Sequence, residues 1–355
     1  MDAKLNFALV GCGRVSENHL KTLTSPAMPT RLVAVADCDA ARARAKGEKY
    51  GVPHYADYHE MLARHPETQV INIAAPTGYH AGLVCDLARH GKHLVTEKPM
   101  ALTVGDCDRM LAVCRARGCR LFVVKQNRFN PAVIAARRAY DEGRFGKIVM
   151  VTARVRWRRD DAYYTDGWHG TWSLDGGVMS QQASHHLDLL QWFLGDITGV
   201  QCQTATRLLN MEAEDTAAAL LKGANGALGV FEATVAARPE NIEGSLSIMG
   251  ERGTVIIGGI AVNHIQYWKF EDHRAEDDHW PARASENVSH VYGSGHGPYL
   301  RNVVEAIVSG KPALVEGDEG RKDIAILTAL YESAATDGAL LAPGCAINHS
   351  RLGRR

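Results

Sequence analysis

The chain has 355 residues, 46% of them hydrophobic and 23% charged, with Lys+Arg and Asp+Glu balanced at 40 each. This is an ordinary globular composition with room for two cores, and it excludes a global field that would draw in nucleic acid or an anionic membrane. No apolar run approaches the roughly 20 residues of a membrane span, and none of the eight cysteines forms a Cys-x-x-Cys pair, so neither a bilayer nor a zinc site is expected.

Met1 to Asn6 lead straight into the apolar run Phe7 to Val10. No signal peptide is read there, so a cytoplasmic location with reduced thiols is the expectation. Phe7 to Val10 reads as a strand. Gly11-Cys12-Gly13-Arg14-Val15-Ser16 follows, then helical periodicity through Leu20 and Leu23. Strand, glycine turn and helix is the context that gives a glycine motif meaning. Gly11 permits the tight turn, and Gly13 lets the backbone approach a pyrophosphate at a helix N-terminus. Ser16 stands in the third glycine position and is small enough for close packing. Arg31 to Ala36 is a second strand, ending in Asp37. A carboxylate there suits the adenosine ribose hydroxyls and repels the extra phosphate of NADP, so NAD is favoured. The glycines alone would also fit a plain turn; Asp37 and the alternation that follows carry the dinucleotide reading.

Helices are expected over 40–50 and 58–64, and a strand over 69–74. Ala75-Pro76-Thr77-Gly78-Tyr79-His80 comes next, with Pro76 ending the strand and Thr77 capping a helix to Arg89. The strand ending His93-Leu94-Val95-Thr96 runs into Glu97-Lys98-Pro99. Pro99 biases Lys98 toward an extended backbone. A lysine at the carboxyl end of a parallel strand points into the crevice where doubly wound sheets bind ligands, and lysine shifts its pKa readily enough to act as acid or base. A solvated Glu-Lys pair is the alternative. Thr103 and Asp106 have capping-box spacing, Gly118 marks a helix end, and Leu121 to Lys125 is a last strand. The series predicts a parallel sheet covered on both faces.

Gly11-x-Gly13 with His19, Ala75-Pro76-Thr77 with His80, and Glu97-Lys98-Pro99 together resemble the Gfo/Idh/MocA oxidoreductase family. The resemblance implies an N-terminal Rossmann domain over 1–126 and an α/β substrate and oligomerisation domain over 127–345 with a large open, mostly antiparallel sheet. A basic tail, 346–355, is expected to be disordered. The family further implies a cofactor site from Gly11, Gly13, Arg14, Val15 and Asp37, from Ala75, Pro76, Thr77 and His80, and from Glu97, Lys98 and Gln126. It also implies a homodimer or homotetramer.

In the second half, Lys125-Gln126-Asn127-Arg128-Phe129-Asn130-Pro131 is unusually polar for a strand exit. It reads either as a solvated hinge or as Gln126 near the nicotinamide with Asn127 or Arg128 near substrate. Pro131 suits the first turn of a helix to about Glu142. Gly146 to Trp157 is a long strand carrying Arg154 and Arg156, with Arg158 in step just beyond it. These arginines suit either an anionic substrate or ion pairing on a sheet face. From Ser184 the pattern turns helical, with Gly195 following. Gln181 and His185 are four apart and share a face if the helix begins early. Many family members carry Asp-x-x-x-His here, and Gln181 stands in the Asp position. Glutamine can position a hydroxyl but cannot be a base. Proton chemistry therefore falls to Lys98 and His185, while His186 and Asp188 are read as packing or helix hydrogen bonds. Strand hairpins are expected at 217–235 and 245–257, a surface loop at 272–289, and a glycine-rich loop holding His296, a substrate candidate. Helices open at Pro298 and Asp318.

The blocks around Lys125, Gly170 and Asp175 to Trp192 look most like one subgroup, which oxidises C3 of UDP-N-acetylglucosaminuronic acid for bacterial surface polysaccharides. The implied reaction needs NAD, a base and a cation for the developing alkoxide. NADH recycling by 2-oxoglutarate is implied as well. The alternatives are a dehydrogenase of a polyol or another sugar, and a non-catalytic nucleotide-sensing regulator.

Overall fold

The computed structural model describes residues 4–288 and 290–354, and the chain divides into two compact units. The first comprises residues 4–101, 105–124 and 296–321; the second comprises 102–104, 125–295 and 322–354, Ser289 aside. The lead-in Met1 to Ala3, Ser289 at the end of the expected surface loop and Arg355 of the tail lie outside the described residues.

The first unit alternates strand and helix: β1 (Leu5–Val10), α1 (Ser16–Leu23), β2 (Thr30–Ala36), α2 (Ala40–Tyr50), β3 (His54–Tyr55), α3 (Tyr58–Arg64), β4 (Val70–Ile73), α4 (Thr77–Leu87), β5 (His93–Thr96), α5 (Val104–Ala116) and β6 (Leu121–Val123). The strands form one parallel sheet in the order β3-β2-β1-β4-β5-β6. β1 and β5 are apolar on both faces, with Phe7, Ala8, Leu94 and Val95 all buried, and β4 is buried on both, with Ile71 on one face and Asn72 on the other. That is what helices on both sides of a parallel sheet demand. Asp39 caps α2 by accepting from the Ala41 and Arg42 N–H groups, and Gly51 ends it at φ +66°. Thr77 is the first helical residue of α4 rather than its cap; Pro76, at φ −59° and ψ 145°, holds the cap position without a side-chain bond.

The second unit contains α6 (Pro131–Asp141), β7 (Ile148–Arg156), α7 (Val178–Gln181), α8 (Ser184–Leu194), β8 (Ile197–Ala205), β9 (Thr216–Gly223), β10 (Leu228–Thr234), β11 (Glu243–Gly250), β12 (Gly253–Gly258), β13 (His264–Phe270) and α9 (Trp280–Arg283). Its seven strands run β13-β12-β11-β7-β10-β9-β8, antiparallel throughout except for the parallel pair β7–β10. α8 lies on β7, β10 and β11. Gly229 makes room for it, since a Cβ there would stand 2.9 Å from Leu194 and 3.2 Å from Leu190.

Several expectations change. α10 (His296–Ser309) begins at His296 rather than Pro298, and it belongs to the first unit, not to a domain ending at 345. Its buried face of Tyr299, Leu300, Val303 and Val304 needs an apolar partner, and it has one in α1. α11 (Gly317–Ala335) closes the helix set. The segment 272–288 is partly ordered by Asp277, buried against Arg144 at 2.7 Å. The tail is docked as well. Asn348, His349 and Ser350 give their N–H groups to Glu332, and the Gly353 N–H donates to the Trp172 carbonyl at 2.8 Å.

Candidate functional site

In the first unit the glycine turn follows β1 as its residues require. Gly11 has φ +96°, and a Cβ on it would meet the Ala74 carbonyl oxygen at 2.5 Å. Beside Gly13 nothing lies within 4 Å of where a Cβ would stand, so the backbone is open to close approach. The Ser16 hydroxyl donates to the Gly13 carbonyl at 2.6 Å and closes the turn at the start of α1. Asp37, at the end of β2, accepts the Cys12 N–H at 2.7 Å and the Asp39 N–H at 2.8 Å. Its carboxylate is thereby aimed at the turn. The open side of Gly13 at the amino end of α1, with an oriented carboxylate beside it, fits a dinucleotide with unmodified ribose hydroxyls.

The other expected cofactor residues of this unit face inward. His80 is fully buried, its Nδ1 2.9 Å from the Pro99 carbonyl and its Nε2 2.8 Å from the Ala75 carbonyl. Burial pushes its pKa down, against the two backbone bonds. A neutral ring donates to only one of the two carbonyls, so it is hydrogen-bonded to either the Ala75 or the Pro99 segment and packs against the other. Glu97 is buried, one oxygen 2.6 Å from His19 Nε2 and the other accepting the Lys98 N–H at 3.0 Å. His80 and Glu97 are both buried, and the polar contacts described for them are to the protein. Lys98 itself is half-buried.

His296 is not on a loop. It is buried at the start of α10, edge-on to His19 with ring centroids 5.7 Å apart. His19, Glu97 and His296 bring one ligand-type atom each within 4.8 Å of one another, the one such grouping among the described residues.

In the second unit Lys125 to Asn130 form a buried 3-10 turn, so the solvated-hinge alternative fails. Arg128 is 1% exposed, and its guanidinium grips Asp188 at 2.6 to 3.1 Å. Lys125 pairs with Asp323 and stands 3.8 Å from Asp188. Arg128 is therefore an interior counterion and not a substrate arm, and Asp188 serves it rather than its own helix. Gln126 and Asn127 differ: Gln126 Oε1 and Asn127 Oδ1 are buried and meet no protein donor. Such acceptors demand partners.

Gln181 ends α7, and His185 is the second residue of α8. Between them the Gln182 and Ala183 N–H groups both return to the Val178 carbonyl, which breaks the helix. The four-residue spacing therefore does not place the two side chains on one helical face. His186 is buried against the edge of Trp157, 5.6 Å between centroids, and burial pushes its pKa down to about 3. Arg154 and Arg156 pair with Glu232 and Glu243 across the sheet, and Arg158 pairs with Asp160. The residues that sequence reasoning missed are Asn72, which bonds His19, and Lys125 and Asp323 in the interior cluster. Their partners are distant in sequence and leave no local signal.

The fold and the glycine turn define a nicotinamide-dinucleotide-binding protein of Rossmann type with an appended mixed-sheet domain. Residues 5–125 match the oxidoreductase family with an NAD-binding Rossmann fold, and residues 133–256 match the GFO/IDH/MocA C-terminal domain. The chain belongs to the Gfo/Idh/MocA family. It is 38% identical to the WlbA dehydrogenase from Bordetella pertussis, whose crystal structure is a complex with NADH and UDP-GlcNAcA; the match covers 98% of this chain and 99% of that one at a TM-score of 0.91. The WlbA dehydrogenase from Chromobacterium violaceum, in complex with the same two molecules, is 39% identical over 96% of each chain at a TM-score of 0.89. Inositol 2-dehydrogenase of Burkholderia lata is 31% identical over 228 residues. That match spans 62% of this chain and 65% of the relative, just under two thirds of its length.

Proposed function

We propose that the chain is an NAD-dependent dehydrogenase that oxidises the C3 hydroxyl of UDP-N-acetylglucosaminuronic acid to a ketone, on a route to bacterial surface polysaccharides. The observation that carries this reading is the near full-length likeness to two WlbA dehydrogenases crystallised with NADH and UDP-GlcNAcA. NAD, when bound, supplies the hydride acceptor. Lys98 and His185 are the groups for the hydroxyl proton and the charge developing on oxygen. Gln181 orients a hydroxyl without titrating. The unpartnered oxygens of Gln126 and Asn127 accept hydrogen bonds from cofactor or sugar. Recycling of NADH by 2-oxoglutarate, a cytoplasmic setting and a homodimer or homotetramer complete the proposal.

Purified protein incubated with UDP-N-acetylglucosaminuronic acid and 2-oxoglutarate tests it by mass spectrometry. Loss of two hydrogens from the sugar nucleotide, with 2-hydroxyglutarate formed, is the expected result. An unchanged sugar with NAD bound rejects the substrate. The inositol dehydrogenase likeness makes a free polyol the second reading, and oxidation of inositol in the same assay would favour it. Unaltered biological activity in Lys98→Ala would instead favour a regulator.

A further inference from the structure

His19 recurs in the sequence motif without a chemical task, and the structure gives it one. It lies on α1 one turn beyond Ser16, and it is fully buried. Asn72 Nδ2 donates to its Nδ1 at 2.8 Å, so the ring proton is left on Nε2, 2.6 Å from Glu97 Oε1. Glu97 Oε2 accepts the Lys98 backbone N–H at 3.0 Å. Each carboxylate oxygen therefore holds one donor, one from α1 and one from the peptide of Lys98. The same α1 is tied at its start to the glycine turn through Ser16 and Gly13.

We infer that His19 and Glu97 are a buried positioning pair for Lys98, joining the glycine turn through α1 to the lysine's backbone N–H and setting a buried carboxylate next to it in the chain. The inference rests on the dehydrogenase reading for its catalytic meaning, but not for its geometry.

The groups facing Glu97 are His19 from α1, His80 from α4, His296 and Tyr299 from α10, and Lys98 next in the chain. Burial opposes a charged Glu97, but the hydrogen bond from His19 and the charge of Lys98 hold its carboxyl below the usual carboxylate range. It is thus an anion across the working pH range, and the attraction is mutual: what steadies Glu97 as an anion steadies Lys98 as a cation. The backbone tether does separate work. It limits where the Lys98 side chain can start, and catalytic groups lose rate steeply with small displacements.

The test measures Lys98 directly. Competitive acylation of Lys98 across pH, read by mass spectrometry, gives its titration midpoint without substrate. In Glu97→Gln the midpoint falls by about one pH unit, and the limb of the kcat profile that reports Lys98 moves to lower pH with it. In His19→Asn kcat falls about tenfold while KM changes less than about threefold. Melting temperature and NAD binding confirm that each variant is folded and loads cofactor. Should Glu97→Gln fail to fold, Asn72→Ala, which removes the bond that orients His19, shifts the midpoint in the same direction by less. A folded Glu97→Gln, or in its absence a folded Asn72→Ala, with an unmoved midpoint overturns the inference. A stoichiometric divalent ion in purified protein, lost in His19→Asn, overturns it too, because ligation would take the lone pairs that the His19–Glu97 bond uses. A shifted midpoint with no turnover of any sugar or polyol rejects the dehydrogenase reading and leaves the pair standing.

Discussion

Glu214 accepts hydrogen bonds through one carboxylate oxygen only. Its Oε1 receives the Met179 N–H at 3.0 Å and the Tyr331 O–H at 2.8 Å, while its Oε2 is buried without a partner. Burial pushes its pKa from an ordinary 4.5 to about 7, against the bonds from Met179 and Tyr331. The folded state thus keeps a proton that the unfolded chain gives up above about 4.5. The stability this group contributes is full below that pH and is lost as the pH rises through about 7. The loss reaches roughly 3 kcal/mol by pH 8. Glu214→Gln keeps the accepting oxygen and cannot ionise. Urea unfolding at pH 5 and pH 8 should show the wild type losing most of that stability and the variant losing less than about 1 kcal/mol. Equal losses would place the pH dependence elsewhere. Asp215, next in the chain, shows the contrast: burial opposes its charge as well, but the Leu208, Leu209 and Arg207 N–H groups and the Thr216 hydroxyl lower its pKa. Two adjacent carboxyls diverge because one is surrounded by donors and the other is not.

Among elements, the same residue type does different work in the 3-10 turn after β6 and on β7. Arg128 in that turn is locked to Asp188 of α8, with Lys125 and Asp323 completing a buried four-charge cluster. Arg154 and Arg156 on β7 are 43% and 39% exposed at the side chain and face Glu232 on β10 and Glu243 on β11. Removing a buried anion strands its cations, so Asp188→Asn should cost about 3–5 kcal/mol. Arg156→Ala should cost less than about 1 kcal/mol, because its pairs are solvated. Chemical denaturation measures both, and comparable losses would show that the cluster does not anchor the turn. These elements also show what the sequence can and cannot express. The parallel sheet, both hairpins and α8 with its terminal Gly195 follow from local periodicity and glycine placement, and they were legible. β3 has only two residues and offers no period to read. The break between Gln181 and His185 was hidden because four-residue spacing survives an interrupted helix. The inward turn of Glu97 was hidden for another reason: its partner His19 is 78 residues away.

At the scale of the molecule, the strand register of the second sheet decides what its outer face offers. Leu220 pairs with Val230, Val230 with Thr152, Thr152 with Ser247, Ser247 with Ile256 and Ile256 with Tyr267. Two residues along, Leu228 pairs with Met150 and Met150 with Met249. Paired residues share a face, so these rows form a largely apolar band opposite α8, with Thr152 and Ser247 in its middle. Leu220 is 58% exposed, Leu228 53% and Tyr267 45%. Scattered apolar residues are normal on a surface, but exposed leucines, methionine and tyrosine aligned across neighbouring strands of one sheet face are the kind of surface that a protein partner covers. A second copy of the chain satisfies that need in the proposed homodimer or homotetramer, provided that each protomer contributes on the order of 800 Å². Sedimentation velocity should therefore find a species heavier than the 38.7 kDa chain. The double variant Leu220→Glu with Leu228→Glu should shift it toward the monomer with unchanged circular dichroism, since both side chains point away from the core. Two glutamates on each facing sheet would put unpaired charge into a dehydrating surface, which neither copy can neutralise. A wild-type chain that sediments as a monomer would leave this band to solvent and refute the assembly. A double variant that keeps the wild-type mass would move the interface to another face of the molecule.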